Sequence, residues 1–302
     1  MMQTLQRIQH DQWLELRLNR PEVRNAMSFQ MVEELRQVFG ELSQDKEIQA
    51  VVLRGAGGHF CAGGDVKDMR DLLSQPTNHR PETPSQDGTD AVTRDAVASR
   101  PLARANRQFG AMLTEIQQAP QVVIAVLEGS VMGGGFGLAC VSDIAFAHVD
   151  ARFALPEVTL GLTPAQIAPF VVTRIGATRA RQLALTGARF DGRGALQYGL
   201  VHDVFEEDAQ LQTQLTQTLT SLSKCAPEAR IATKQLMLSV GAPSLDPILD
   251  RAALGFAHAA TEGEGMAGMM AFVTKQPAPW RAAWGEIEYP SITPADTEGE
   301  PS

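Results

Sequence analysis

The chain has 302 residues, 44% hydrophobic and 20% charged, with a net charge of −9 and a pI near 5.2. That length and balance suit a soluble globular protein with a sizeable core, and they exclude a broad nucleic-acid surface, which needs basic patches. No apolar run reaches the roughly 18–20 residues of a membrane span, and the first residues lack an apolar export signal.

Cys61, Cys140 and Cys225 are too few and too scattered for a disulfide framework or a zinc cluster, so a reducing cytoplasm is expected. Cys61 beside a glycine turn reads as a small packing residue rather than a nucleophile. The six histidines show no metal-ligand spacing, and no metal site is predicted.

In chain order, Trp13 to Leu18 alternates apolar and polar residues, the mark of a half-buried strand. Ser28 can cap a helix with Met31, Val32, Leu35, Val38, Phe39 and Leu42 on one face. Strands over 50–54 and 122–127 each run into glycines. Between them, residues 74–101 carry several prolines and read as a loop with a short helix near its end. A helix over 104–118 turns Phe109, Met112, Leu113 and Ile116 inward. Strand and helix alternate to about residue 205, which defines an α/β fold. Helices over 208–225, from Pro227, over 245–260 and over 262–274 follow, and the acidic, proline-bearing segment from Glu286 reads as disordered. The domain reading is an α/β core over 1–205, a helical region over 206–280 and a tail over 281–302.

The chemistry concentrates at the glycines. Gly133, Gly134 and Gly135 follow a strand and open an apolar, helix-like segment. Bare N–H groups at a helix start favour negative charge, on a phosphate or an oxyanion. No nucleotide-binding pattern of the G-x-x-x-x-G-K-[ST] or G-x-G-x-x-G kind is present. Tight helix–sheet packing is the bland alternative for the same glycines.

Two further motifs accompany them: His59-Phe60-Cys61-Ala62-Gly63-Gly64-Asp65-Val66-Lys67 after the strand at 50–54, and Leu155-Pro156-Glu157-Val158-Thr159-Leu160-Gly161-Leu162 downstream. With Asn19-Arg20-Pro21-Glu22-Val23-Arg24-Asn25-Ala26-Met27 and the late Ala226-Pro227-Glu228 with Thr233-Lys234, these resemble the crotonase (enoyl-CoA hydratase/isomerase) superfamily over residues 3–280. The resemblance implies a spiral of β-β-α units and a helical C-terminal region that builds a homotrimer or a hexamer, a dimer of trimers.

It also implies an acyl-CoA thioester whose carbonyl oxygen sits in an oxyanion hole made by the N–H groups of Gly64 and Gly134, with Glu157 as acid–base residue. Phe153, Leu155 and Leu160 are expected to wall that carboxylate. Coenzyme A belongs to the substrate, and no separate cofactor is implied. Arg24 and Lys67 are candidates for the CoA phosphates, Ala62 and Asp65 for the substrate loop, and Phe272 and Lys275 for CoA held by a neighbouring subunit.

The chain departs from the best-known hydratases at Gly137, where they carry a first glutamate. Three readings stay open. Glu157 alone hydrates, with a group such as Gln166 fixing the water; or Glu157 shuttles a proton between Cα and Cγ as an isomerase; or the protein binds acyl-CoA without turnover. The segment from Pro164 to Pro169 is similar to hydratases of branched glutaconyl-CoA esters, the isohexenylglutaconyl-CoA type, which favours hydration. Gly137 is expected to leave a void beside the acyl chain.

Overall fold

The computed structural model describes residues 2–74, 97–98, 100–241 and 244–290. Most of the loop expected at 74–101, and the tail over 291–302, lie outside the described residues.

Six strands form the main sheet, in the order β1 (Leu5–Gln9), β2 (Trp13–Leu18), β3 (Ala50–Gly55), β4 (Val122–Leu127), β6 (Ile144–His148) and β9 (Asp203–Phe205). Among the described pairs of this sheet only β1–β2 is antiparallel, with Leu5 opposite Leu18. Every residue of β3 and β4 is buried, as expected of parallel strands covered on both faces. A smaller sheet joins β5 (Ser130–Met132), β7 (Arg152–Ala154) and β8 (Arg189–Phe190).

One face of the main sheet packs under α1 (Phe29–Leu42), α3 (Pro101–Gln118) and α4 (Gly134–Val141). Ser28 caps α1 by accepting from Met31 N–H at 3.1 Å, and the expected apolar stripe from Met31 to Leu42 is buried. The other face carries Trp13, Val52, Ile124 and Phe146 against α8 (Asp208–Leu222), through Leu211, Leu215 and Leu219. The helices α9 (Pro227–Leu238), α10 (Asp246–Thr261) and α11 (Glu264–Thr274) complete the helical C-terminal region. Lys234 fastens α9 to the starts of β4 and β6, donating to Gln121 O at 2.9 Å and to Asp143 Oδ2 at 2.7 Å.

Two expectations are corrected together. Strand β2 is buried at Glu15 as well as at its leucines, so it is not half-buried. The segment read as a disordered tail covers it: residues 279–284 form a 3₁₀ turn, Trp284 is buried, and Tyr289 stacks on Trp13. The Tyr289 hydroxyl donates to Glu15 Oε2 at 2.8 Å, while Arg17 donates to Glu15 Oε1 at 2.5 Å. The acidic, proline-bearing composition from Glu286 onward hid one aromatic anchor.

Candidate active site

Three chain segments converge by backbone hydrogen bonding. Phe60 N–H donates to Glu128 O, Cys61 N–H to Ser130 O and Met132 N–H to Cys61 O, all within 2.8–2.9 Å, which stitches the loop after β3 to β5. Met27 N–H donates to Gly63 O at 2.7 Å, and Asp65 N–H to Met27 O at 2.9 Å. Gly133 N–H donates to Ala154 O at 3.1 Å, tying the triple glycine to the strand that leads into Glu157. Beneath this junction, Arg54 holds Glu128 in a buried two-pronged ion pair at 2.7 and 3.0 Å. Asn25, fully buried in the left-handed region at φ 55°, donates to Ala56 O and His59 O.

The two glycine turns touch. Gly133 has φ 46°, and a Cβ there would lie 2.9 Å from Glu157 Oε1 and 3.8 Å from Gly63 Cα. A Cβ on Gly135 would lie 2.7 Å from the Cys61 side chain and carbonyl, so only glycine lets α4 approach the loop. Next to this contact lie Gly64 and Gly134, whose N–H groups have no acceptor among the described residues. The Cys61 thiol is fully buried and pushed up to about 11 by burial, so it is protonated and fills space.

A cavity of about 190 Å³ opens at this point. Met27, Phe29 and Val32 of the α1 start, Met69 of α2 (Val66–Leu73), and Leu102, Ala105, Asn106 and Phe109 of α3 wall it. Gly64, Asp65, Gly134, Glu157 and the stretch 162–167 complete it. Glu157 starts the 3₁₀ turn Glu157–Leu160; its Oε2 is buried without a hydrogen-bond partner among the described residues. Burial raises its pKa above the usual carboxylate range. Asp65, the other carboxylate of the cavity, is committed to the fold. It caps α2 through Lys67 N–H and pairs with Arg20 at 2.8 Å. Burial works against its charge, yet Arg20 and the cap amides hold it below the usual range.

Several expectations about side chains change. Leu160 is 67% exposed and does not wall Glu157. Gly137 leaves no void and does not line the cavity: Ile167 packs onto it, its Cβ 3.2 Å from where a Gly137 Cβ would be. The space a first glutamate would need is filled by an aliphatic side chain. Gln166 does line the cavity, whereas Ala62 does not; its N–H donates to Arg24 O at 3.0 Å. Lys67 is exposed in the first turn of α2 and is not among the residues that line this cavity. Arg24 is exposed and opens onto a second cavity of about 840 Å³, shared with Arg152, Arg189 and Arg193. Phe272 and Lys275, at the end of α11, lie on the protein's surface.

Sequence reasoning missed Asn106 and Ile167. Asn106 was findable, because Leu102, Ala105, Asn106 and Phe109 share one stripe of α3 at helical spacing.

The fold and the cavity, with two glycine turns beside one carboxylate, can be set against known proteins. The enoyl-CoA hydratase/isomerase pattern matches residues 14–243, and the chain belongs to that family, the crotonase superfamily. It is 48% identical to Pseudomonas aeruginosa AtuE in solved structure, over 92% of this chain and 100% of that one, with a TM-score of 0.82. It is 31% identical to the peroxisomal Δ(3,5)-Δ(2,4)-dienoyl-CoA isomerase of Arabidopsis thaliana, over 77% of this chain and 80% of that one. A probable enoyl-CoA hydratase of Mycobacterium bovis, echA8, is also 31% identical, over 86% and 90%. The architecture expected from the sequence, an α/β crotonase fold with a helical C-terminal region, is therefore the observed one.

Proposed function

We propose that the protein is an enoyl-CoA hydratase that adds water across a 2-enoyl-CoA double bond with Glu157 as its sole acid–base residue. The observation that carries this reading is a desolvated carboxylate oxygen beside two glycine N–H groups at an apolar cavity, none of them with a hydrogen-bond partner among the described residues. The thioester oxygen accepts from Gly64 and Gly134 N–H, and these bonds strengthen as charge grows on it. The Glu157 carboxylate takes a proton from water as the water oxygen bonds Cβ, giving an enolate and a neutral Glu157. That acid then returns the proton to Cα. Gln166 holds the water. No step uses a metal or redox cofactor; coenzyme A is the substrate's own handle.

Arg24, with Arg152 and Arg189 beside it, and Lys67 would serve the CoA phosphates; Ala62 and Asp65 shape the loop that the thioester crosses. Phe272 and Lys275 would reach CoA bound to a neighbouring copy in a trimer or hexamer, working in the cytoplasm. The isohexenylglutaconyl type of branched ester is the preferred substrate class.

A second reading has its own support. One carboxylate suffices to move a proton between Cα and Cγ, and the Arabidopsis relative is a dienoyl-CoA isomerase. Turnover of a panel of enoyl-CoA esters in oxygen-18 water decides. Label at Cβ of the product supports hydration, and double-bond migration without label supports isomerisation. Binding of the esters without either reaction leaves an acyl-CoA-binding scaffold.

A further inference from the structure

The acyl cavity is set by two helix glycines that receive two consecutive side chains. Ile167, 2% exposed, lodges on Gly137 of α4. Its neighbour Gln166 lodges on Gly110 of α3: a Cβ at 110 would fall onto Gln166 Oε1, 2.8 Å from its Cδ and 3.2 Å from its Cγ. Gly110 is buried in the interior of α3, where glycine is the poorest helix former short of proline. A helix glycine need not have such a neighbour. Gly40 in α1 has nothing within 4 Å of its would-be Cβ. At Gly110 the space is filled by three atoms of one side chain that lines the cavity.

We propose that Gly110 is a positioning residue: it gives up its side chain so that the Gln166 carboxamide is held at one place in the acyl cavity as the second polar group of the reaction centre. A carboxamide both donates and accepts hydrogen bonds but takes no proton at neutral pH. It therefore fixes a water without competing with Glu157 for the proton. With Gly137 sealed by Ile167, a second carboxylate has no room from α4, and the neutral amide from the following loop takes its place. This assignment rests on the hydration reading.

The test compares Gly110→Ala, Gln166→Ala, the double variant and Gly40→Ala, by Tm, kcat, KM and affinity for the same CoA esters. Gly40→Ala reports the helix effect alone and keeps native turnover. Gly110→Ala is expected to keep its fold, lose about tenfold to a hundredfold in kcat and change KM by less than about threefold, because the amide is displaced rather than the cavity lost. The loss should vanish in the Gln166→Ala background, where the three atoms nearest the added methyl are gone; that non-additivity separates positioning from helix repair.

Gly110→Ala with kcat within about twofold of native, a Gln166→Ala variant of native turnover, or a full Gly110→Ala loss in the double variant would each overturn the assignment. Should Gly110→Ala fail to fold, a folded double variant with the kcat of Gln166→Ala supports the socket, and a slower one overturns it. Should the native protein hydrate no ester, the hydration reading fails separately. The same cycle is then read on ester affinity, where coupling between the two positions supports positioning and its absence overturns it.

Discussion

Glu157 combines a charge with a poor place to keep it. Its Oε2 is buried without a partner among the described residues, and burial raises its pKa. As a base it must start ionised, so kcat/KM is expected to fall as pH drops through a midpoint above the usual carboxylate range, measured as the acid limb of the pH–rate profile. Glu157→Gln keeps the shape and removes the proton carrier; acyl-CoA affinity should stay within a few fold while turnover falls by about 10²–10⁴. The stability effect runs the other way. A carboxyl with a raised folded-state pKa favours the fold below its unfolded pKa, and that contribution is lost as pH rises through the folded value. Glu157→Gln should therefore melt higher than native at neutral pH, with the gap closing on acidification. Equal Tm values at pH 7 would mean that the carboxylate is not desolvated.

At the scale of elements, legibility tracked how local the cause was. Ser28 as cap, the apolar stripe of α1 and the fully apolar β4 are written in neighbouring residues, and the structure follows them. Glu157, Gly64 and Gly134 were legible because their spacing from strands is fixed by short connections, and all three line one cavity. What fills a glycine was not legible. Gly137 reads as a gap on its own helix, and only the packing of the 162–167 stretch puts Ile167 there. Gly137→Ala should thus destabilise by about 1–3 kcal/mol through overpacking, despite alanine's better helix propensity. In an Ile167→Ala background, which removes the Cγ2 atom but keeps the Cβ, the same change should cost clearly less than in the native protein; chemical denaturation of the four proteins measures the difference.

The C-terminal segment was illegible for the same reason, since Glu15 and Tyr289 meet across 274 positions of sequence. Burial, then the Glu15 charge, pushes the Tyr289 phenol up, so it remains a donor. Tyr289→Phe leaves a buried carboxylate oxygen short of a bond and should cost about 1–3 kcal/mol in the same assay.

At the scale of the whole molecule, the apolar surface is unevenly placed. Leu254, Phe256, Phe272 and Val273 of α10 and α11 are each 74–85% exposed, and Met266, Met269 and Met270 lie among them in sequence. Single exposed apolar residues are ordinary, but this many on two adjoining helices is the kind of surface that is covered in solution. Further copies of the chain are the proposed cover, which would also bring a neighbour's Phe272 and Lys275 to each CoA.

Sedimentation should therefore give a trimer or hexamer. The pair Leu254→Asp and Phe256→Asp, which buries no charge in a single copy, should yield smaller particles with native circular dichroism. Those particles keep Glu157 and both glycine amides, since α10 lines no part of the acyl cavity. Their affinity for CoA esters should nevertheless fall, while affinity for a truncated pantetheine thioester, which lacks the nucleotide, should not. A native protein that sediments as one copy, or small particles that bind both ligands like the native assembly, would remove the neighbour from the site.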